Sequence, residues 1–241
     1  GDFGISRSDA PIGTLISGRL LVTLPLVMTG MLVATFIAVP LGTLAALHNR
    51  RPLGTVLSVV SQIGIAIPAF WMGILLITWV AVRWGLLPAG NFPTAGWDDL
   101  GGAVRSLILP VIVLGLAQGA VLMRYVRSAT LEVLNADFVR TARAKGMTRG
   151  EALRRHGLRN AAIPVITVLG LQLATLMIGA VVIEQVFTLP GLGRLLLDGV
   201  GNRDIPQVQG IVLVITALVL LINFVVDVLY RVVDPRLRIS R

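Results

Sequence analysis

Few residues in this chain of 241 have the types and spacing to do chemistry. His48 and His156 are the whole imidazole supply, and a metal site built from them alone is under-ligated. Cysteine is absent, which removes thiolate chemistry, disulfides and cysteine metal sites. No serine, histidine and acid fall in an arrangement suited to nucleophilic catalysis. No Gly-x-x-x-x-Gly-Lys-Ser/Thr stretch exists to cradle nucleotide phosphates. The sequence reads as a non-enzyme, with no catalytic, cofactor or metal residues expected in it.

Two sets of polar residues remain. One is the segment from Arg124 to Arg159, which holds nine basic residues and three acids, Glu132, Asp137 and Glu151. The other is scattered through apolar surroundings: Gln62, Gln118, Gln172 and Asn223, with Glu184 and Asp227. Gln62, Gln118, Gln172, Asn223 and Asp227 are candidates for lining a translocation pathway, and helix-to-helix hydrogen bonding is the reading that accounts for most of these residues. An acid at a bilayer centre costs roughly 2.5 to 3.5 kcal/mol. Asp227 lies near one end of its run and can pair with Arg231 at i+4, and Glu184 lies near the opposite side.

The elements that must position these residues follow from composition. Hydrophobic residues make up 55% of the chain and charged residues 14%, against about 25% charged in soluble domains. The deficit sits in five apolar runs: Leu20 to Leu47, Leu53 to Val82, Leu107 to Val126, Ile163 to Gln185 and Val208 to Tyr230. Crossing a bilayer takes about 20 apolar residues, so each run predicts a transmembrane helix. Prolines 25, 40, 68 and 110 fall inside them, as membrane helices permit when neighbours satisfy the freed carbonyls. No polar face recurs at helical spacing, which argues against a soluble bundle.

Charge sets the expected orientation. The net charge is +9, and 20 of the 21 basic residues are arginine. Counted by connection, 15 basic residues fall on one side and six on the other. The richer side is expected to be cytoplasmic, which places the C-terminus inside and the first residues outside. An outside start without a signal sequence predicts a sixth, N-terminal span upstream of Gly1. Connections 83–106 and 186–208 then lie outside. The first carries Trp84 and Trp97 as interfacial anchors, and the second carries Leu195 to Leu197, a run too short to span and expected to re-enter or lie at the interface.

Residues 127–160 form the inner connection. Ala129 to Lys145 predicts a helix with Leu131, Leu134, Phe138 and Ala142 on one apolar face. Gly146 predicts a left-handed helix stop. Thr148-Arg149-Gly150-Glu151 fits a capping box and predicts a second short helix from Arg149 to Arg159. Asn160 and Pro164 mark the start of the next span. Such a structured, apolar-faced protrusion suits partner docking more than a solvated loop does. Nucleic-acid binding is not expected, because the arginines lack interleaved aromatics.

The sequence Arg140-Thr141-Ala142-Arg143-Ala144-Lys145-Gly146, then Arg155-His156-Gly157-Leu158-Arg159-Asn160-Ala161-Ala162-Ile163-Pro164, resembles the EAA loop of bacterial ABC importer permeases. It is most similar to that of the dipeptide and oligopeptide group, of the first-permease type. The general motif is Glu-Ala-Ala, three residues, Gly, nine residues, then Ile-x-Leu-Pro. Aligned on Gly146, only Ala142 of the opening triplet matches. His156 and Arg159 replace isoleucine and proline around Leu158. Phe187-Thr188-Leu189-Pro190-Gly191-Leu192-Gly193, Asn202-Arg203-Asp204 with Pro206 and Val208-Gln209-Gly210, and the ending Asp234-Pro235-Arg236-Leu237-Arg238 are similar to the same group.

The resemblance implies an all-α integral membrane protein with five transmembrane helices in this chain, residues 1–241 forming one permease domain with a cytoplasmic coupling helix. It implies a second homologous permease subunit, two ATPase subunits that hold ATP and Mg, an extracytoplasmic substrate-binding protein and surrounding membrane lipid. The residues implied in ATPase coupling are Arg140, Thr141, Ala142, Arg143, Gly146, Thr148, Glu151, His156 and Leu158. Di- or oligopeptides are the implied cargo, and nickel or haem is carried by similar permeases. An ion-gradient-driven secondary transporter and a membrane scaffold are the readings from other classes.

Overall fold

The structure is a computed structural model and describes residues 3–7 and 9–233. Its described residues are helical throughout, apart from turns and one isolated bridge between Ile5 and Pro11. The helices are α1 (Ile12–Leu47), α2 (Pro52–Ala66), α3 (Ala69–Leu76), α4 (Leu100–Asn135), α5 (Asp137–Ala144), α6 (Arg149–Ala152), α7 (Leu158–Val186), α8 (Leu192–Gly201) and α9 (Ile205–Val233). Two wider π-type turns continue α3 through Ile77–Arg83 and join α6 to α7 through Leu153–Gly157.

Four helices are long and apolar enough to span a membrane, and α2 with α3, bent by 94° between them, adds a fifth only if the pair is counted as one broken span and not as a re-entrant loop. The five predicted runs are all helical, but the second is not continuous. Pro68 has φ −62° and ψ 133°, an extended conformation, and α2 stops ahead of it, where proline supplies no N–H to the preceding turn and crowds the residue before it. Pro25, Pro40 and Pro110 sit inside unbroken helices, as does Pro164. Both α1 and α4 run for 36 residues, well beyond the length a bilayer requires.

The chain resolves into two compact units. The first takes Gly1–Val33, Ile67–Gly115 and Leu173–Leu221. It therefore holds both connections 83–106 and 186–208. Its core includes Ile12 and Ile16 of α1, Leu192 and Leu195 of α8 and Ile211 of α9, all buried. The short run Leu195–Leu197 is thus part of a ten-residue helix packed on protein.

The second unit takes Ala34–Ala66, Leu116–Gln172 and Ile222–Arg241, and holds connection 127–160. Here Ala38, Gly42 and Ala45 of α1 meet Leu122, Met123 and Val126 of α4. A Cβ at Gly42 would stand 2.8 Å from the Met123 carbonyl oxygen. Small residues at this spacing let two membrane helices approach closely, gaining dispersion contact where water exclusion offers nothing.

Candidate functional site

The connection 127–160 is built from two local stop signals and a small core. Helix α4 ends at Asn135 because Ala136 is extended, with φ −68° and ψ 150°. Asparagine and aspartate on either side favour such breaks, since their short side chains compete for backbone groups. The predicted single helix over Ala129 to Lys145 is therefore two, and the phase resets at the break. Val133 and Val139 are buried with Ala142, while Phe138 is 40% exposed. The predicted face of Leu131, Leu134, Phe138 and Ala142 is correct only for Ala142 and, in part, for the half-buried Leu131 and Leu134.

Helix α5 then stops as the glycine predicts. Gly146 has φ +93°, a conformation that costs a side chain with a Cβ roughly 1–2 kcal/mol. The Met147 N–H reaches the Ala142 carbonyl at 3.3 Å and the Gly146 N–H reaches that of Arg143 at 3.0 Å. This pair of bonds is the Schellman motif, and its usual apolar contact is present, since Met147 packs with Ala142.

Two residues on, Thr148 Oγ1 accepts from the Glu151 N–H at 3.3 Å and caps α6. The reciprocal half of the predicted box, Glu151 back to the Thr148 N–H, is absent among the described hydrogen bonds. The helix predicted over Arg149 to Arg159 does not stand alone. Helix α6 passes through the π-type turn directly into α7, so Asn160 and Pro164 lie inside α7 and not ahead of it. Ala152, Leu153 and Ala161 complete the core beneath the turn.

The surface of this element carries two grooves, each of about 520 Å³. Thr141 and Ala142 line the first with Phe138, Lys145, Met147 and Arg155, giving an apolar floor with two cations. Thr148 to Gly150 line the second, facing Leu47, His48, Arg50 and Arg51 of the α1–α2 turn. Arg127 pins that turn by donating from Nη2 to Asn49 Oδ1 at 2.6 Å.

Arg140, Arg143 and Glu151 are exposed, and Leu158 is half exposed. Among the described residues Arg140 pairs with Asp137, at 3.4 Å across exposed atoms, which contributes under about 1 kcal/mol. The His156 side chain lies outside the described residues, as do the Asp227 side chain and the ending Asp234 to Arg238.

Of the four amides proposed for a pathway, Gln62 is exposed, Gln118 and Asn223 are half-buried, and Gln172 is buried with its Nε2 unpartnered.

Glu184, which the sequence places near one end of its run without giving it partners, sits in the first unit. Glu184 of α7 is fully buried, and its carboxyl oxygens accept from Thr23 Oγ1 at 2.6 Å, Gly193 N–H at 2.8 Å and Arg194 N–H at 3.2 Å. Thr23 Oγ1 in turn accepts from the Leu192 N–H at 2.8 Å. Glu184 and Thr23 thus satisfy the first three N–H groups of α8, at the end where the helix dipole favours negative charge. A Cβ at Gly193 would overlap Val181, so glycine is what lets α8 sit this close to α7. The signal in the sequence is the glutamate ahead of Phe187 and the Pro190-Gly191-Leu192-Gly193 turn.

A second cap orders the same unit. Asp204 Oδ1 accepts from the Gln207 N–H at 3.2 Å at the start of α9. Its Oδ2 accepts from Ser6 Oγ at 2.6 Å and the Arg7 N–H at 2.8 Å. The Ser6 hydroxyl, then the Arg7 N–H, hold the Asp204 carboxyl below the ordinary carboxylate range.

Residues 38–239 match the family described as binding-protein-dependent transport system inner membrane component. The chain belongs to this family. As a family member it is a permease, and its apolar helices are those of a multi-pass membrane protein.

Among its relatives, it is 42% identical over 240 residues to the oligopeptide transport system permease protein AppB of Bacillus subtilis, covering 98% of this chain and 76% of that one. It is 45% identical over 197 residues to the dipeptide transport system permease protein DppB of Escherichia coli, covering 73% of this chain and 58% of that one. It is 41% identical over 239 residues to the glutathione transport system permease protein GsiC of Escherichia coli, covering 99% of this chain and 75% of that one.

The fold is that of ABC importer permeases. It overlays the inward-facing MetNI methionine ABC transporter with a TM-score of 0.74 at 20% identity, covering 92% of this chain and 97% of that one. An amino acid ABC transporter gives 0.67 at 19% identity, covering 91% and 94%.

Proposed function

We propose that this permease forms the pathway of an ATP-driven importer for di- or oligopeptides and couples to ATPase subunits through residues 127–160. The complex would pair it with a second homologous permease, two ATPases holding ATP and Mg, and an extracytoplasmic binding protein. The basic connections, 127–160 and the C-terminus among them, face the cytoplasm in this reading, and 83–106 and 186–208 face outward. Membership of a binding-protein-dependent family favours it over the ion-gradient and scaffold alternatives. Peptide-named relatives at above 40% identity favour peptides over nickel or haem.

The observation that carries the coupling role is the locked turn at Gly146, with the apolar groove of Phe138, Ala142 and Met147 beside it. A lever transmits force only if its two arms keep their angle. The Schellman bonds and the Thr148 cap fix that angle from local groups alone. An ATPase cleft closing on Phe138 would then move α5 and α6 together, and the π-type turn would carry the displacement into α7. Arg140, Arg143, Lys145 and Arg155 supply the charge that steers docking.

The test uses the assembled transporter in proteoliposomes, with ATP hydrolysis and peptide uptake measured together. Gly146→Val, or Arg140→Glu with Arg143→Glu, is expected to lower uptake per ATP at least about tenfold while the complex still inserts. Unchanged stimulated hydrolysis and uptake in both variants would remove the coupling role.

A further inference from the structure

The second groove is not explained by a lever. We propose that it holds the phosphate of an anionic phospholipid headgroup, making the α1–α2 turn a lipid-specific anchor on the side that charge assigns to the cytoplasm.

Three observations converge on a lipid. The first is charge without a partner. Arg50, Arg51 and Arg149 are exposed on opposite walls of the groove, and the one ion pair among the described residues is Arg140 with Asp137. Guanidinium groups with free forked donors match phosphate oxygens. The Thr148 hydroxyl adds to them, because its oxygen is engaged by the Glu151 N–H and its own proton is free to donate.

The second is place. Helix α1 ends at Leu47 and α2 starts at Pro52, so one wall of the groove is the turn that closes a helix long and apolar enough to span a membrane. The third is the adjoining surface. Leu44, Leu53 and Val56, on the turns of α1 and α2 next to the groove, are 40%, 48% and 57% exposed. Acyl chains can lie along these side chains while the phosphate reaches the arginines. The Arg127 to Asn49 bond holds the turn and removes part of the ordering cost of binding.

The groove of Phe138 and Met147 carries two cations, Lys145 and Arg155, and shares no lining residue with this one, so protein docking and lipid binding have separate surfaces on one element.

The experiment takes the assembled transporter in neutral detergent and titrates it with phosphatidylglycerol or phosphatidylcholine. Bound lipid is counted by native mass spectrometry and melting temperature is followed in parallel. The wild type is expected to retain phosphatidylglycerol over phosphatidylcholine. Each of Arg50→Gln, Arg51→Gln and Arg149→Gln is expected to cut that preference about fivefold, as basic residues at an anionic surface do. Arg105→Gln, far along the chain in the first unit, is expected to leave it unchanged.

Equal retention of the two lipids by the wild type would overturn the proposal. So would a full preference in the triple glutamine variant. If inorganic phosphate alone displaces the lipid and reproduces the thermal shift, the groove is a soluble-anion site and the lipid assignment fails. If the triple variant sheds the ATPases but keeps its lipid preference, the groove is a protein interface and the assignment fails equally. Should the triple variant not fold, the three single variants decide. None of these outcomes depends on whether Gly146 couples hydrolysis to uptake.

Discussion

Helices α6 and α8 are both short elements hung beside spanning helices, and they are held by opposite means. The N-terminus of α8 is satisfied from far away in sequence, by Thr23 of α1 and Glu184 of α7. Its apolar residues are buried against α1 and α9. The N-terminus of α6 is capped by its own neighbour Thr148, and α5 before it is closed by its own glycine. The first arrangement cements an element into the bundle. The second closes a short turn from residues of its own segment, which is the property that the proposed coupling role asks of it.

The largest expected effect comes from breaking the cement. Glu184→Ala leaves the Thr23 hydroxyl and the Gly193 and Arg194 N–H groups without their acceptor inside the protein. A buried polar group so stranded costs about 1–3 kcal/mol, and several share one acceptor here, so a loss of about 3 kcal/mol or more is expected. Thermal unfolding of the purified protein in detergent reads it. Glu184→Gln keeps one carboxyl-like oxygen and is expected to lose less. If Glu184→Ala melts with the wild type, α8 is not held as described.

Asp204 gives the next effect and depends on pH. Its folded-state affinity for protons is lowered by the Ser6 hydroxyl and the Arg7 N–H. The stability it lends is therefore fully present above the ordinary carboxylate range. It is lost as pH falls through the lower, folded value. Asp204→Asn is expected to flatten the acid limb of the melting curve and to leave the neutral-pH melting temperature less changed than Glu184→Ala does. An acid limb that overlays the wild type would show that the α9 cap carries no proton linkage.

The contrast also explains what could be read from sequence. The spans were legible because a bilayer demands long apolar runs, and no soluble alternative makes them. Gly146 and Thr148 were legible because a Schellman stop and an N-cap are decided within five residues. The break at Ala136 was not, since alanine there carries no stop signal and the flanking Asn135 and Asp137 bias the backbone only weakly. Nor could Pro68 be told from Pro25, Pro40 and Pro110, because whether a proline breaks a membrane helix depends on what its neighbours offer the freed carbonyl. The Glu184 cap was hidden for the same reason. Its partner Thr23 is 161 positions away, and only the fold brings them together.

The smallest effect is the sharpest test of the comparison. Thr148→Ala removes one cap from α6 and is expected to cost that helix about 1 kcal/mol. Because the cap is local, the loss should stay local. Amide hydrogen exchange over residues 146–153 should quicken about fivefold, while the global melting temperature moves by less than a third of the Glu184→Ala shift. Thr148→Ser and Thr148→Asp keep an acceptor for the Glu151 N–H and should restore protection. If Thr148→Ala instead lowers the global melting temperature as far as Glu184→Ala, the inner element is no autonomous unit. Its rigidity would then be borrowed from the spans, and a lever that moves as one piece could not be built from it.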